Sequence, residues 1–172
     1  MRSKFISTLL EILEEFPVIA AGFVIRESWE DKIIRSGGMD PKRIRQNFYN
    51  LKYRKIIRDH PKGFALTSKG QRWFLDLKFR QLKIRSRKWD NQWRIIIFDI
   101  PEQFKNARQV LRNKLKALDF KMIQKSVFVC PFHCENEISF LVRYLDIESY
   151  VDLVQAFSIG SKEKEFKQYY NL

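Results

Sequence analysis

Four consecutive large apolar residues, Ile95-Ile96-Ile97-Phe98, run straight into Asp99-Ile100-Pro101. Such a run fits a strand buried on both faces, or buried on one face and at an interface on the other. Side chains alternate along a strand, so Ile95, Ile97 and Asp99 share one face, and Ile96, Phe98 and Ile100 share the other. The period then changes. Across residues 102–118, Phe104, Ala107, Val110, Leu111, Leu115 and Leu118 recur at helical spacing, with Lys105, Arg108, Arg112 and Lys116 on the opposite side. A strand of this kind followed by an amphipathic helix calls for a sheet with helices packed on it.

The remainder of this half continues the pattern. Residues 120–123 and 126–130 read as two strand-like pieces, either a hairpin or one long bent strand. Residues 134–145 read as a helix with Ile138, Leu141, Val142 and Leu145 inward, and residues 150–159 alternate as a last strand. The order β-α-β-β-α-β is that of a ferredoxin-like unit. Two helices cover one face of such a sheet, and a second copy is the economical cover for the other. The tail, SKEKEFKQYYNL, is expected to pack along that dimer as a terminal helix.

Charge divides the chain. Residues 1–88 carry 21 Lys and Arg against 9 Asp and Glu, a balance of +12, whereas residues 89–172 carry 12 against 11, a balance of +1. The first half is suited to meeting a polyanion. Two domains are expected, 1–88 and 89–172, with the boundary in the basic, polar stretch 85–92. The longest weakly polar stretch, 16–25, contains Pro17 and Gly22 and falls short of the ~20 apolar residues of a membrane span. A cytoplasmic protein with reduced Cys130 and Cys134 and no membrane partner is therefore expected.

In the first half, residues 3–16 have a broad apolar face at helical spacing, and residues 29–36 suit a short helix ended by Gly37-Gly38. Residues 17–28 are open between helix and loop. The next helix is better marked: Asp40 stands at the N-cap and Pro41 at the first helical position. Ile44, Phe48 and Leu51 form its inner stripe. Lys42, Gln46, Tyr49 and Tyr53 form the opposite one, flanked by Arg45 and Asn50. Cations for phosphates, amides for base edges and aromatic bodies for sugars suit a helix in a major groove. Residues 55–67 read as strand, turn, strand, and residues 71–84 as a helix with Trp73, Leu77 and Ile84 on one side and Phe74 and Leu75 beside them. The order is that of a winged helix-turn-helix, giving an α+β chain with a winged helix before a ferredoxin-like domain. Duplex DNA is the expected partner, with Lys42, Arg43, Arg45, Gln46, Tyr49, Asn50, Tyr53 and Arg54 on the helix and Arg58 and Lys62 on the wing. His60 reads as a plain turn residue.

The plain role for Asp99 is to accept backbone N–H groups where the strand turns toward the helix. Cys130, His133 and Cys134 offer three soft ligands within five residues, but a structural zinc site needs four at recognised spacing. Cys130 is better read as a buried strand residue and Cys134 as a helix start.

FDIPE, the Arg- and Lys-rich helix and LDFKMIQKSVFVCPF resemble the small second CRISPR-associated protein, the ferredoxin-like endonuclease-fold subunit of spacer acquisition. With KWDNQWRIIIFDIPE, QKSVFV and LTSKG together, the chain is similar to the phenylacetate-catabolism repressor (PaaX-like) family, which joins a winged helix to a domain of that fold. Those repressors have a further C-terminal domain, whereas this sequence ends at YYNL, so no effector is named. The resemblance implies a homodimeric repressor. It also implies an alternative, a Mg2+-dependent endonuclease or a structural subunit of spacer acquisition, with Asp99 as the catalytic and metal-binding residue, paired across a two-fold axis. No other cofactor is expected.

Overall fold

The computed structural model describes residues 24–25, 40–60 and 63–172. The helices expected over 3–16 and 29–36 lie outside the described residues. The chain divides into two compact units, Met1–Arg80 and Gln81–Leu172. Among the described residues no helix is long and apolar enough to cross a membrane.

In the first unit, β1 (Val24–Ile25) is a strand, in a stretch whose sequence left helix and loop open. Helix α1 (Pro41–Tyr53) starts as its cap residues dictate: Asp40 Oδ1 accepts the Lys42 N–H at 3.0 Å, and Pro41 follows the cap. Ile44, Phe48 and Leu51 are its buried stripe. Strands β2 (Ile57–His60) and β3 (Gly63–Leu66) form the hairpin, and β1 pairs with β3 to give the sheet order β1-β3-β2, antiparallel throughout. The Phe48 and Phe64 rings stack at 5.7 Å, joining helix to hairpin. Lys52 reinforces the junction, reaching Asp59 at 2.5 Å and lying 4.7 Å from the Phe64 ring centroid. Helix α2 (Ser68–Gln81) follows. It buries Phe74 and Gly70, leaves Trp73 and Leu77 half-buried, and ends before Ile84. Phe74, which the sequence placed beside the stripe, is thus the most deeply buried of its apolar side chains, and Leu75 is exposed.

Two local devices fix these joints. Helix α1 ends with Lys55 in the left-handed region, φ 56°. The Lys55 N–H donates to the Lys52 carbonyl and the Ile56 N–H to the Leu51 carbonyl, which satisfies the last turn. The segment Leu66-Thr67-Ser68-Lys69-Gly70 then locks α2 against that end. Thr67 Oγ1 donates to the Lys55 carbonyl at 2.6 Å and accepts the Gly70 N–H at 3.0 Å, acting as the N-cap. Lys69 Nζ donates to the Arg54 carbonyl at 3.0 Å. Gly70 packs directly on backbone: a Cβ there would lie 2.0 Å from the Ile56 carbonyl oxygen.

The second unit is mixed α and β. Strand β4 (Trp89–Phe98) leads through a short 3-10 turn into helix α3 (Lys105–Ala117). Strands β5 (Lys121–Gln124) and β6 (Val127–Phe132) form a hairpin, followed by helix α4 (Glu135–Leu145), strand β7 (Val151–Ala156) and helix α5 (Glu163–Tyr170). The sheet order is β5-β6-β4-β7, antiparallel throughout. This is a sheet of ferredoxin-like size, with β-α-β-β-α-β order and one added helix.

The alternation in β4 has its expected effect. Ile96 and Phe98 are buried on the face that carries Phe128, whose ring stacks on Phe98 at 6.0 Å and lies under Arg112 of α3. The opposite face is covered at one end by the chain's own tail. Phe166 and Tyr170 are buried. The Tyr170 hydroxyl donates to the Asp119 carbonyl at 2.6 Å, and its ring lies 6.3 Å from Trp93 and 5.6 Å from Phe132. Phe166 and Tyr170, four residues apart in an otherwise mostly polar helix, suit one that covers a small apolar area. The other end of this face stays open: Ile97 and Val154 are 41% and 42% exposed.

Gly70→Ala should destabilise the protein by about 3 kcal/mol, because the backbone it meets cannot yield as a side chain would. Lys55→Gly should stabilise it by about 1 kcal/mol by removing left-handed strain. Urea denaturation of both variants checks the pair of opposite signs.

Candidate nucleic-acid interface

Helix α1 turns a polar surface outward because its apolar residues are confined to one stripe. Lys42, Arg43, Arg45, Gln46, Tyr49, Asn50, Tyr53 and Arg54 are all exposed. Tyr49 and Tyr53 are 64% and 80% exposed, high values for large aromatic side chains. Along the helix Lys42, Gln46, Tyr49 and Tyr53 follow one another at i, i+4, i+7 and i+11, a continuous stripe. Gln46 Nε2 lies 3.5 Å from Asn50 Oδ1, so the two amides stand side by side without being buried. On the hairpin, Arg58 is exposed and His60 half-buried, whereas Lys62 lies outside the described residues. Lys52 of α1 is held by Asp59 of the hairpin and serves the fold.

Asp99 is exposed beyond the end of β4. Its N–H donates to the Tyr150 carbonyl at 3.0 Å. Among the described residues its carboxylate takes no hydrogen bond, and the turn that follows has no side-chain cap, so the capping role read from the sequence is not the one it plays. Neighbouring Glu102 is engaged by Arg108 at 2.6 Å. Among the described residues no three His, Cys, Asp or Glu side chains converge as metal ligands. Within one chain, then, Asp99 is a single carboxylate, and the residues around it do not by themselves form a magnesium site. The Cys130, His133 and Cys134 trio is split likewise. Both thiols are fully buried while His133 points outward. The neighbouring Cys130 and burial push the Cys134 thiol well above its ordinary range, as befits an inert core thiol.

The strongest electrostatic cluster is one that the sequence does not announce. Arg94 is 1% exposed on the helix-covered face of the sheet. Its Nη1 and Nη2 fork onto Asp90 at 2.5 and 2.8 Å, and its Nε donates to Glu135 at 3.0 Å. Nη2 also lies 2.7 Å from His133 Nδ1. A guanidinium only donates, so this pairing places the His133 proton on Nε2, 3.2 Å from Asp90 Oδ2. Gln155 Nε2 donates to Glu135 at 3.2 Å, and the Cys134 N–H to Glu135 at 2.9 Å. The Arg94 hydrogen bond is the chief cause that lowers the Asp90 pKa to about 2, and Arg94 itself is raised in turn, chiefly by the same bond. Burial opposes ionisation of Glu135, yet backbone N–H groups and Arg94 hold its pKa below the ordinary value.

In a regular strand, residues four apart stand about 13 Å from each other. Here Asn91 adopts φ 64°, and the pairing of β4 with β6 jumps from Trp89↔Phe132 to Arg94↔Cys130. That bulge folds Asp90 back onto Arg94. The one signal in the sequence was Asp90-Asn91-Gln92, turn-prone residues directly before the apolar strand run.

Residues 86–167 match the family model described as the PaaX protein central Cas2-like domain. The match supports PaaX-like kinship for that segment. No curated protein matches the chain. A solved structure, an uncharacterized protein from Mycobacterium tuberculosis, is similar at 15% identity with a TM-score of 0.36; the likeness covers 94% of this chain and 64% of that one. The chain therefore spans less than two thirds of that protein, and at such a score the likeness decides nothing about fold or function.

Replacing Arg94 by Met should cost about 3 kcal/mol, since it leaves two carboxylates partly buried without their cation. A carboxyl whose folded pKa is lowered stabilises above its unfolded pKa and loses that contribution as pH falls. The wild type should therefore lose stability between about pH 4 and pH 2 through Asp90, and Arg94→Met should flatten this limb. Denaturant titrations across acid pH check both parts.

Proposed function

We propose that this chain is a DNA-binding transcriptional regulator, repressor-like in mode, which meets duplex DNA through a winged helix and acts as a homodimer. The observation that carries the reading is the outward stripe of α1, where Lys42, Gln46, Tyr49 and Tyr53 stand exposed with Arg45 and Asn50 beside them. Amides and arginines of this kind pair with base edges in the major groove, and the cations meet phosphates. The order α1–β2–β3–α2, with β1 completing a three-stranded sheet, supports the winged-helix reading; Arg58 and Lys62 are then wing contacts to the backbone. Kinship of residues 86–167 with the PaaX central domain supports a regulator in the broad sense.

Dimerisation through the second unit is supported by the open end of its sheet. Ile97 and Val154, with half-buried Ile95 and Val127, form a small apolar strip on the face away from α3 and α4. A second copy brought onto this strip would space two α1 helices for a palindromic site. A second reading, a divalent-metal-dependent nuclease, is kept by one observation: the Asp99 carboxylate is exposed and takes no partner among the described residues. Failure of the pure protein to cleave duplex DNA or RNA with Mg2+ excludes it.

The joint substitution of Arg45, Gln46 and Asn50 by Ala should lower affinity for the preferred duplex at least ~10-fold, each good base pairing being worth about 1–3 kcal/mol. All three side chains are exposed, so the thermal midpoint should hold. Fluorescence anisotropy after selection from random duplexes measures this. Wild-type affinity that is no greater for a selected site than for random duplex would contradict base reading by α1.

A further inference from the structure

The near-neutral sum over residues 89–172 conceals a separation of charge. Residues 105–125 hold seven lysines and arginines against one acid, Asp119, whereas the rest of 89–172 holds five against ten. Helix α3 alone carries Lys105, Arg108, Arg112, Lys114 and Lys116 and no acid.

The two arginines of α3 are bonded inward. Arg108 pairs with Glu102 and donates to the Ile100 carbonyl at 2.9 Å. Arg112 donates to the Lys125 carbonyl and lies 5.7 Å from the Phe128 ring centroid. Asp119, the one acid, is occupied by Arg87 at 3.1 Å and by the Tyr169 hydroxyl at 2.9 Å. The side chains of Lys105, Lys116 and Lys125 are exposed, and their ammonium groups make no ion pair or hydrogen bond among the described residues.

At ~100° per residue, Lys105, Arg112 and Lys116 fall within about 40° of one another, on a flank of the helix about 100° round from buried Leu111 and Leu115. Lys105 and Lys116 are separated by about 16 Å along the helix axis. The Arg112 bond to the Lys125 carbonyl sets the β5–β6 turn, and Lys125 with it, beside this row.

We infer that this row is a second duplex-DNA contact, one that grips the phosphate backbone whatever the base sequence; the inference rests on the DNA-binding reading of α1. Three features favour phosphates. The unpaired cations are lysines, mobile point charges that suit averaged phosphate binding. An acidic protein surface is better matched by arginine forks, and both forks here are already bonded inward. The amides on this side, Gln109 and Asn113, bond each other at 2.8 Å, and no aromatic side chain stands in the row to stack on a base. A duplex presents on the order of ten phosphate charges over about 16 Å, one every ~1.7 Å of axis.

The test uses the full chain with Lys105→Gln, Lys116→Gln and Lys125→Gln combined, beside wild type and the Arg45→Ala variant. Binding to two duplexes of unrelated sequence is followed by anisotropy between about 50 and 200 mM salt. The expected result is a salt slope reduced by ~0.9 for each phosphate no longer neutralised, up to ~2.7, with affinity weakened by the same factor on both duplexes and an unchanged thermal midpoint. If the triple variant keeps wild-type slope and affinity while Arg45→Ala weakens binding, the row does not touch DNA and the reading of α1 stands. If wild type binds neither duplex at low salt, both fail together. A triple variant whose sedimenting mass changes while its salt slope does not would mark the row as a protein-binding surface and overturn the inference.

Discussion

The buried guanidinium of Arg94 is the constraint around which the second unit is arranged. A charge 1% exposed in a sheet is tolerable only when its donors are met by carboxylates and carbonyls in good geometry. Meeting that demand ties together four pieces of chain: the bulged start of β4 through Asp90 and the Gln92 carbonyl, the end of β6 through His133, the first turn of α4 through Glu135, and β7 through Gln155. Apolar packing alone would let α4 slide on the sheet, since dispersion attraction is not directional. The fork from Arg94 fixes where the helix begins. An arginine–carboxylate network is weak evidence for net stability, but it is strong evidence for a single arrangement of the elements it joins.

The first unit is held by backbone geometry instead of buried charge. The left-handed Lys55, the Thr67 cap and the close pass of Gly70 over the Ile56 carbonyl set the angle between α1 and α2. Because α1 is anchored by its inner stripe and by both of its ends, its outer stripe is free of structural duty. That division lets Lys42, Gln46, Tyr49 and Tyr53 remain exposed on a rigid element, the condition a reading helix needs.

Much of this was legible in the sequence, where local rules agree with tertiary demand. Asp40-Pro41, the stripe of Ile44, Phe48 and Leu51, the hairpin, and the β-α-β-β-α-β order all follow from caps and periods that neighbours do not override. What escaped was non-local. Asp90 read as part of the polar boundary stretch and Arg94 as a strand residue until the bulge at Asn91 folds one onto the other. Asp99 read as a cap because strand ends commonly need one, yet the backbone there is satisfied by Tyr150 and its carboxylate is left outside. The tail read as a terminal helix, but eight residues of helix show no destination in sequence, and only the fold brings Tyr170 to Trp93. The separation of charge in the second unit was hidden for a simpler reason: a sum over a domain averages opposite faces.

The central claim is that a rigid helix, α1, is the surface that reads duplex DNA. Amide NMR of the full chain, titrated with a selected duplex, tests it most directly. The account predicts that the largest changes gather on the outer stripe at Lys42, Arg45, Gln46, Tyr49 and Asn50, with Ile44, Phe48 and Leu51 little affected. Saturable binding that leaves the α1 stripe unperturbed, with the changes confined to the second unit, would contradict it.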